Sequence, residues 1–349
     1  MKQKLALIGF GTVGQGLCEI LLSKKEYLKK MYDFEWEVVA VSDMLKGSVY
    51  APDGLDVPAL LDLVSNGKSL EEYTGDAQRG WDALTTIRQS NADIVCEMTY
   101  TDIKSGKPAT DHCRAALESG KHVVTSNKGP AALFYNELAD LAQKNNVRFL
   151  IEGTVMSGTP VLNLASNELA GNSITAVRGI LNGTTNFILT NMEAGRSYEE
   201  VLKEAQELGY AEADPTADVE GFDALAKVTI LANVVMGARL KPDDIPCKGI
   251  TAITLDDIEQ ARQEGKRWKL IGEVKKEGGK VSASVAPMKV ELSHPLAGVS
   301  GAVNAVTFST DLMGDVTITG AGAGRIETGF SILTDILEIH KGSWELIKN

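Results

Sequence analysis

Hydrophobic and polar positions along this chain follow two different periods. In the first part, short apolar runs end in small or polar residues: KLALIGF at the start, EVVAVS over Glu37–Ser42, DIVCEM over Asp93–Met98, KHVVT over Lys121–Thr125 and RFLI over Arg148–Ile151. Helical patterns lie between them. Val13, Leu17, Ile20, Leu21 and Leu28 share one side of the first, whose late lysines suit a helix C-terminus. Asp111–Ser119 and Leu133–Lys144 read as further helices, with Gly120 stopping the former. Residues 44–75 carry Gly and Pro throughout and read as irregular, followed by a short helix. Strands alternating with helices predict a mostly parallel, doubly wound sheet.

After Glu152 the pattern changes. Pro160–Leu169, Tyr198–Leu208, Gly221–Met236 and Asp256–Glu264 read as helices, and Ile174–Leu181 as a strand closed by Asn182-Gly183-Thr184-Thr185-Asn186. From Lys269 the runs LIGEV, KVSASVAPMKVEL, AVTFST and DVTITG are strand-like. Gly320-Ala321-Gly322-Ala323-Gly324 then leads into a last helix, Ile326–Ile339. This half is an α+β region.

Length and charge narrow the classes. At 349 residues the chain exceeds one small core and predicts two or three domains. A net charge of -12 disfavours a general nucleic-acid or anionic-membrane surface, so an anionic ligand has to be held by local geometry. Cys18, Cys96, Cys113 and Cys247 show no CxxC pairing and read as small buried residues of a reducing compartment. The N-terminus starts almost at once on a strand, and the apolar run Val228–Ala238 is too short to cross a bilayer. A cytoplasmic protein is expected.

Three features carry candidate chemistry. Gly9-Phe10-Gly11-Thr12-Val13-Gly14 stands between the first strand and the first helix, where a dinucleotide turn requires it. The glycines allow close backbone approach, and the helix N-terminus offers free N–H groups to a pyrophosphate. Asp43 ends the second strand, where a carboxylate binds an adenosine ribose and favours NAD; it reads equally as a turn aspartate. Lys46, just beyond, suits a 2′-phosphate, which leaves NAD and NADP both open. Thr99, Thr101 and Asn127-Lys128 follow strands at the carboxyl edge of the same sheet, where such folds place ligands.

The third feature is Leu208–Lys227, LGYAEADPTADVEGFDALAK. It sets Glu212, Asp214, Asp218, Glu220 and Asp223 before an apolar helix whose only charge between Ala224 and Ala238 is Lys227. Asp223 lies four residues earlier on the same helical face. An ordinary exposed ion pair is the plain reading; the apolar surroundings point instead to a buried, functional lysine. No P-loop, zinc-spaced Cys/His set or GxSxG elbow is present, and His112, His122, His294 and His340 are scattered. Hydride transfer assisted by lysine and carboxylates remains.

With GFGTVG, VVTSNKGP, EGTVMSGTP, GILNGTTNFIL and LGYAEADPTADVEGFDALAKVTILA, the chain resembles the homoserine dehydrogenases over nearly its whole length. The last stretch matches the pattern G-Y-x-E-x-D-P then D-x-x-G-x-D-x-x-x-K. The resemblance implies NAD(P)-dependent interconversion of L-homoserine and L-aspartate 4-semialdehyde, in the pathway to threonine, methionine and isoleucine. It implies Lys227 and Lys128 as proton-handling residues, with Asp223 orienting the lysine, Glu212 and Asp218 holding substrate, and Tyr210 and Thr184 lining the pocket. It implies a sodium or other monovalent cation near Glu152, Val155, Ser157 and Thr159, and a homodimer.

The implied layout is a Rossmann-type dinucleotide-binding domain over 1–151 and an α+β catalytic and dimerisation domain over 152–319. Segment 320–349 then returns to the first domain, bringing Gly322 to the cofactor. Ala213 departs from the proline many members carry after the signature glutamate, a loop change that leaves Glu212 usable. The chain stops at Asn349, so a C-terminal regulatory domain or fused kinase is not expected. A silent dinucleotide-sensing protein, or a dehydrogenase of another amino-acid alcohol, are the competing readings.

Overall fold

The computed structural model describes residues 2–348, with side chains described through Gly342. The chain divides into two compact units, Met1–Gly158 with Ala323–Asn349, and Thr159–Gly322.

The first unit is built on a seven-stranded sheet of β1 (Gln3–Ile8), β2 (Trp36–Asp43), β3 (Gly47–Tyr50), β4 (Gln78–Arg79), β5 (Ile94–Glu97), β6 (His122–Thr125) and β7 (Phe149–Leu150), in the order β4-β3-β2-β1-β5-β6-β7. β2, β1, β5, β6 and β7 run parallel, and β3 and β4 add antiparallel at the edge. Leu5, Ala6, Leu7 and Ile8 are all fully buried, as expected of a strand covered on both faces.

The last helix, Arg325–Lys348, packs against the helix Thr12–Ser23. A Cβ on Gly16 would sit 2.4 Å from the Arg325 carbonyl, and Arg325 pairs with Glu19 at 2.6 Å. Ile332, Leu333, Ile336 and Ile339 join Leu5, Leu7 and Leu17 in one core. The expected sheet is therefore present, and the last helix contributes to its core.

Residues 44–75 are more ordered than their Gly and Pro content suggests. They hold β3, a helix Val57–Ser65 capped by Asp56, and a 3-10 turn Leu70–Glu72 closed by a Ser69/Glu72 capping box. Pro58 marks the start of that helix rather than a loop, because its missing N–H is one that a helix start leaves unpaired.

The second unit carries an antiparallel sheet of β8 (Ile174–Ile180), β9 (Lys266–Glu277), β10 (Lys280–Glu291), β11 (Val303–Thr310) and β12 (Gly314–Ala321), ordered β10-β9-β8-β11-β12. The helix Phe222–Val234 lies on it because Gly272 of β9 has no side chain. A Cβ there would come within 2.4 Å of Val228 and 2.8 Å of Leu181. A helix missing from the sequence reading, Gly183–Met192, starts at the Asn182 cap. Thr184, Thr185, Asn186, Ile188, Leu189 and Met192 are buried around it, so no polar face marks it as a helix. Pro160–Leu169 is a short turn of helix, Val161–Asn163, running into a π turn, Leu164–Glu168.

Candidate active site

The glycine turn of the first unit has the form a dinucleotide needs. Gly9 adopts φ +94°, and a Cβ there would meet the Met98 carbonyl at 2.5 Å, so only glycine fits. Gly11 caps the helix Thr12–Ser23 with no side-chain hydrogen bond, and nothing lies within 4 Å of where its Cβ would be. The N–H groups at Thr12, Val13 and Gly14 thus open a helix whose N-terminus no side chain caps, a cradle suited to an anion.

Asp43 closes that turn from the end of β2. Its Oδ2 accepts the Phe10 N–H at 2.8 Å, and its Oδ1 accepts the N–H groups of Leu45 and Lys46 at 3.0 Å. The Lys46 ammonium stands 3.7 Å away. Both readings of Asp43 have a basis here: it holds its turn, and it keeps a carboxylate beside the glycines.

At the carboxyl edge, Thr99 donates its hydroxyl to the fully buried Glu97. Thr101 is half-buried in the turn beyond. Asn127 accepts the Gly129 N–H at 3.0 Å and so caps the helix Lys128–Leu133, placing the half-buried Lys128 at its first position.

The lysine of the second unit is the centre of a polar chain. Lys227 is buried; its ammonium donates to Asp223 Oδ2 at 2.7 Å and to the Leu181 carbonyl at 2.6 Å. The Asn182 amide nitrogen donates to Asp218 Oδ1 at 2.6 Å and to Asp223 Oδ2 at 3.1 Å, linking the two carboxylates. Burial, then the Asp223 charge, pushes Asp218 above the ordinary aspartate range, while the Asn182 bond and Lys227 pull the other way. Thr184 donates its hydroxyl to the Tyr210 carbonyl at 2.6 Å, and the exposed Tyr210 ring packs edge-on against Phe187 at 5.2 Å. Glu212 is exposed, its carbonyl held by Gln206 at 3.1 Å. Asp214 and Glu220 serve locally, accepting from the Thr216 N–H and the Thr251 hydroxyl.

Asn182 and the Leu181 carbonyl were missed in the sequence. Their signal was a polar NGTT following a strand, where an asparagine suits a helix cap. A second buried lysine was missed as well. Lys269 donates to Asn186 Oδ1 at 3.0 Å and the Val299 carbonyl at 2.7 Å, one helical turn beyond Asn182. Burial pushes its ammonium down to about 8.

The expected cation set divides between units. Glu152, Val155 and Ser157 are buried in the first, and Thr159 belongs to the second, where its hydroxyl donates to the Ala321 carbonyl. Glu152 N–H donates to Asp335 Oδ2 at 3.0 Å, and Ser157 takes φ +53° with its hydroxyl 2.8 Å from that of Thr328. Burial and the Glu152 charge hold the Asp335 carboxyl well above its usual range. Among the described residues no group of three or more His, Cys, Asp or Glu could hold a metal ion. Gly322 lies in the second unit against the buried Asn304 amide.

Comparison with known proteins covers both units. Residues 160–337 match the homoserine dehydrogenase family model, and residues 9–152 match the model of the homoserine dehydrogenase NAD-binding domain. The chain is 50% identical over 343 residues to the NAD(+)-dependent homoserine dehydrogenase of Pseudomonas canavaninivorans, covering 97% of both chains. A crystal structure of a putative homoserine dehydrogenase from Archaeoglobus fulgidus superimposes with a TM-score of 0.87 at 40% identity, over 97% of this chain and 99% of that one. A hyperthermophilic archaeal homoserine dehydrogenase in complex with NADPH gives 0.82 at 30% identity, over 98% of each chain.

Proposed function

The chain belongs to the homoserine dehydrogenase family, and from that premise we propose how its own residues divide the work. It is an NAD(P)-dependent oxidoreductase of amino-acid biosynthesis that interconverts L-homoserine and L-aspartate 4-semialdehyde. The observation that carries the proposal is the buried polar chain Lys227–Asp223–Asn182–Asp218.

An ammonium has three N–H donors, and Lys227 spends two on Asp223 and Leu181. The third is left for the substrate oxygen. When semialdehyde is reduced, Lys227 donates that proton to the carbonyl oxygen; when homoserine is oxidised, the neutral amine takes the hydroxyl proton. General acid–base help of this kind contributes about 10²–10⁴-fold. Asp223 fixes the lysine rotamer. Glu212 orients the substrate amine and Asp218 the substrate hydroxyl, Tyr210 and Thr184 line the pocket, and Lys128 is the second proton-handling residue. The uncapped helix start supports Gly9, Gly11, Thr12, Val13 and Gly14 as the pyrophosphate cradle, with Thr99 and Thr101 toward the nicotinamide. The bound dinucleotide supplies the hydride acceptor or donor.

We propose NAD as the favoured form. The Asp43 carboxylate stands at the end of β2, where it would repel a 2′-phosphate, and the Lys46 ammonium lies 3.7 Å from it. A monovalent cation at Glu152, Val155, Ser157 and Thr159, a homodimer formed through the second unit and a cytoplasmic location complete the proposal. Among the described residues no helix is long and apolar enough to cross a membrane.

Nicotinamide absorbance followed with L-homoserine, and with other amino-acid alcohols, using NAD and NADP in turn, tests it. Turnover of homoserine with NAD ahead of NADP is expected. Preference for another alcohol would overturn the substrate, and preference for NADP the role of Asp43. A monomer mass in light scattering would overturn the dimer.

A further inference from the structure

Glu97 ends β5 with no exposed surface, although nothing in the reaction described above requires a carboxylate there. Burying a carboxylate is costly unless its oxygens are fully engaged, and an apolar side chain of that size would fill the same space more stably. Apart from His112, its partners come from the segments that carry the candidate site residues of this edge. Oε1 accepts both the hydroxyl and, at 3.3 Å, the N–H of Thr99, and lies 3.4 Å from His112 Nδ1. On the neighbouring strand, Thr125 stands opposite Glu97 in register. The Thr125 hydroxyl donates to the Glu97 carbonyl at 2.7 Å, lies 3.4 Å from Oε2, and accepts the Asn127 N–H at 2.9 Å.

The ring then closes. The Asn127 amide donates to the carbonyls of Thr99 and Tyr100 at 3.2 and 3.1 Å, and its oxygen caps the helix that begins at Lys128. Two turns on adjacent strands, Thr99–Thr101 and Asn127–Gly129, thus meet at Glu97, the first through its carboxyl group and the second through its backbone carbonyl and, at 3.4 Å, Oε2.

We propose that Glu97 is a positioning residue, whose carboxylate locks these two turns together and thereby sets the place of Thr99 and Lys128 at the nicotinamide end of the cofactor. The inference rests on the dinucleotide reading of this unit, and it concerns one end of the cofactor only. The pyrophosphate cradle at Gly9–Gly14 has its own support in Asp43, which accepts the Phe10 N–H at 2.8 Å, so it should not respond.

The test compares binding of NADH, by its fluorescence, with binding of ADP-ribose, which lacks the nicotinamide, by displacement. Glu97→Leu keeps bulk and removes the acceptors; Glu97→Gln keeps an acceptor for Thr99. Glu97→Leu should weaken NADH at least ten-fold while ADP-ribose stays within two-fold, and Glu97→Gln should recover most of the loss. Equal weakening of both ligands, or no change in either, would overturn it. If Glu97→Leu does not fold, Thr125→Val, which cuts the same ring at a residue with no assigned cofactor contact, is read against the same ratio. Wild-type protein that binds neither ligand would instead refute the dinucleotide reading, and wild-type protein that binds both but ignores homoserine would refute the substrate alone.

Discussion

Replacing Asp218 by asparagine should make the protein more stable and less active. The Asn182 nitrogen bonds Asp218 at 2.6 Å and Asp223 at 3.1 Å, so the two carboxylate oxygens lie within roughly 5.7 Å. Two like charges at that distance, at an effective dielectric constant near 20, repel by about 3 kcal/mol. The Lys227 ammonium, 2.7 Å from Asp223, offsets part of this. A neutral amide oxygen still accepts from Asn182, at a loss of about 1 kcal/mol relative to the charge-assisted bond. The repulsion wins, and a net gain of about 1 kcal/mol is expected, inside the roughly 0.5–2 kcal/mol range of stabilising single changes.

The pH dependence carries the sign. Because the folded protein raises the Asp218 pKa, the charge penalises the fold above that pKa and vanishes below the unfolded value of about 3.9. The advantage of Asp218→Asn should therefore be full at neutral pH and shrink as the pH falls through the raised pKa. Urea denaturation at several pH values measures this. In turnover, with Asp218 in its proposed role of orienting the substrate hydroxyl, losing that charge-assisted bond costs about 1.5–3 kcal/mol, roughly 10- to 150-fold in kcat/KM. A variant no more stable than wild type at neutral pH, or one whose advantage grows on acidification, would refute the reasoning.

Other residues make separate predictions. Glu212→Gln should raise the KM for homoserine with little change in cofactor affinity, because an amide cannot pair with an ammonium as a carboxylate does; steady-state kinetics decide it. Asp43→Ser should move the preference from NAD toward NADP, read as the ratio of kcat/KM values, and an unmoved ratio would leave Asp43 as a turn residue only. Lys269, depressed from 10.5 to about 8 by burial, penalises the fold fully below pH 8 and not at all above its unfolded pKa. Wild type should thus gain stability against Lys269→Met by about 3 kcal/mol as the pH rises from 8 toward 10.5, and a flat difference would contradict the buried charge.

What could be read from the chain depended on whether its signal was local. The glycine turn was legible because Gly9, Gly11 and Gly14 sit between a short apolar run and a helical pattern, all within a few residues. Lys227 was legible because one charge in an apolar helix stands out in composition alone. Asn182 was not, since its partners Asp218 and Asp223 are 36 and 41 residues away. Glu97 was hidden for a similar reason: in DIVCEM a strand-end glutamate reads as a solvent-facing charge, and only its pairing with Thr125 of β6 shows that it is enclosed. β3 depends on pairing with β2 rather than on its own four residues, and so read as loop.

Everything proposed for the second unit turns on Lys227 moving the substrate proton. It is tested most directly by Lys227→Ala, with turnover of homoserine and binding of NADH measured on the same preparation. kcat should fall by at least about 10²-fold, the lower bound of general acid–base help, with the Kd for NADH unchanged. A variant that turns homoserine over at the wild-type kcat would contradict it.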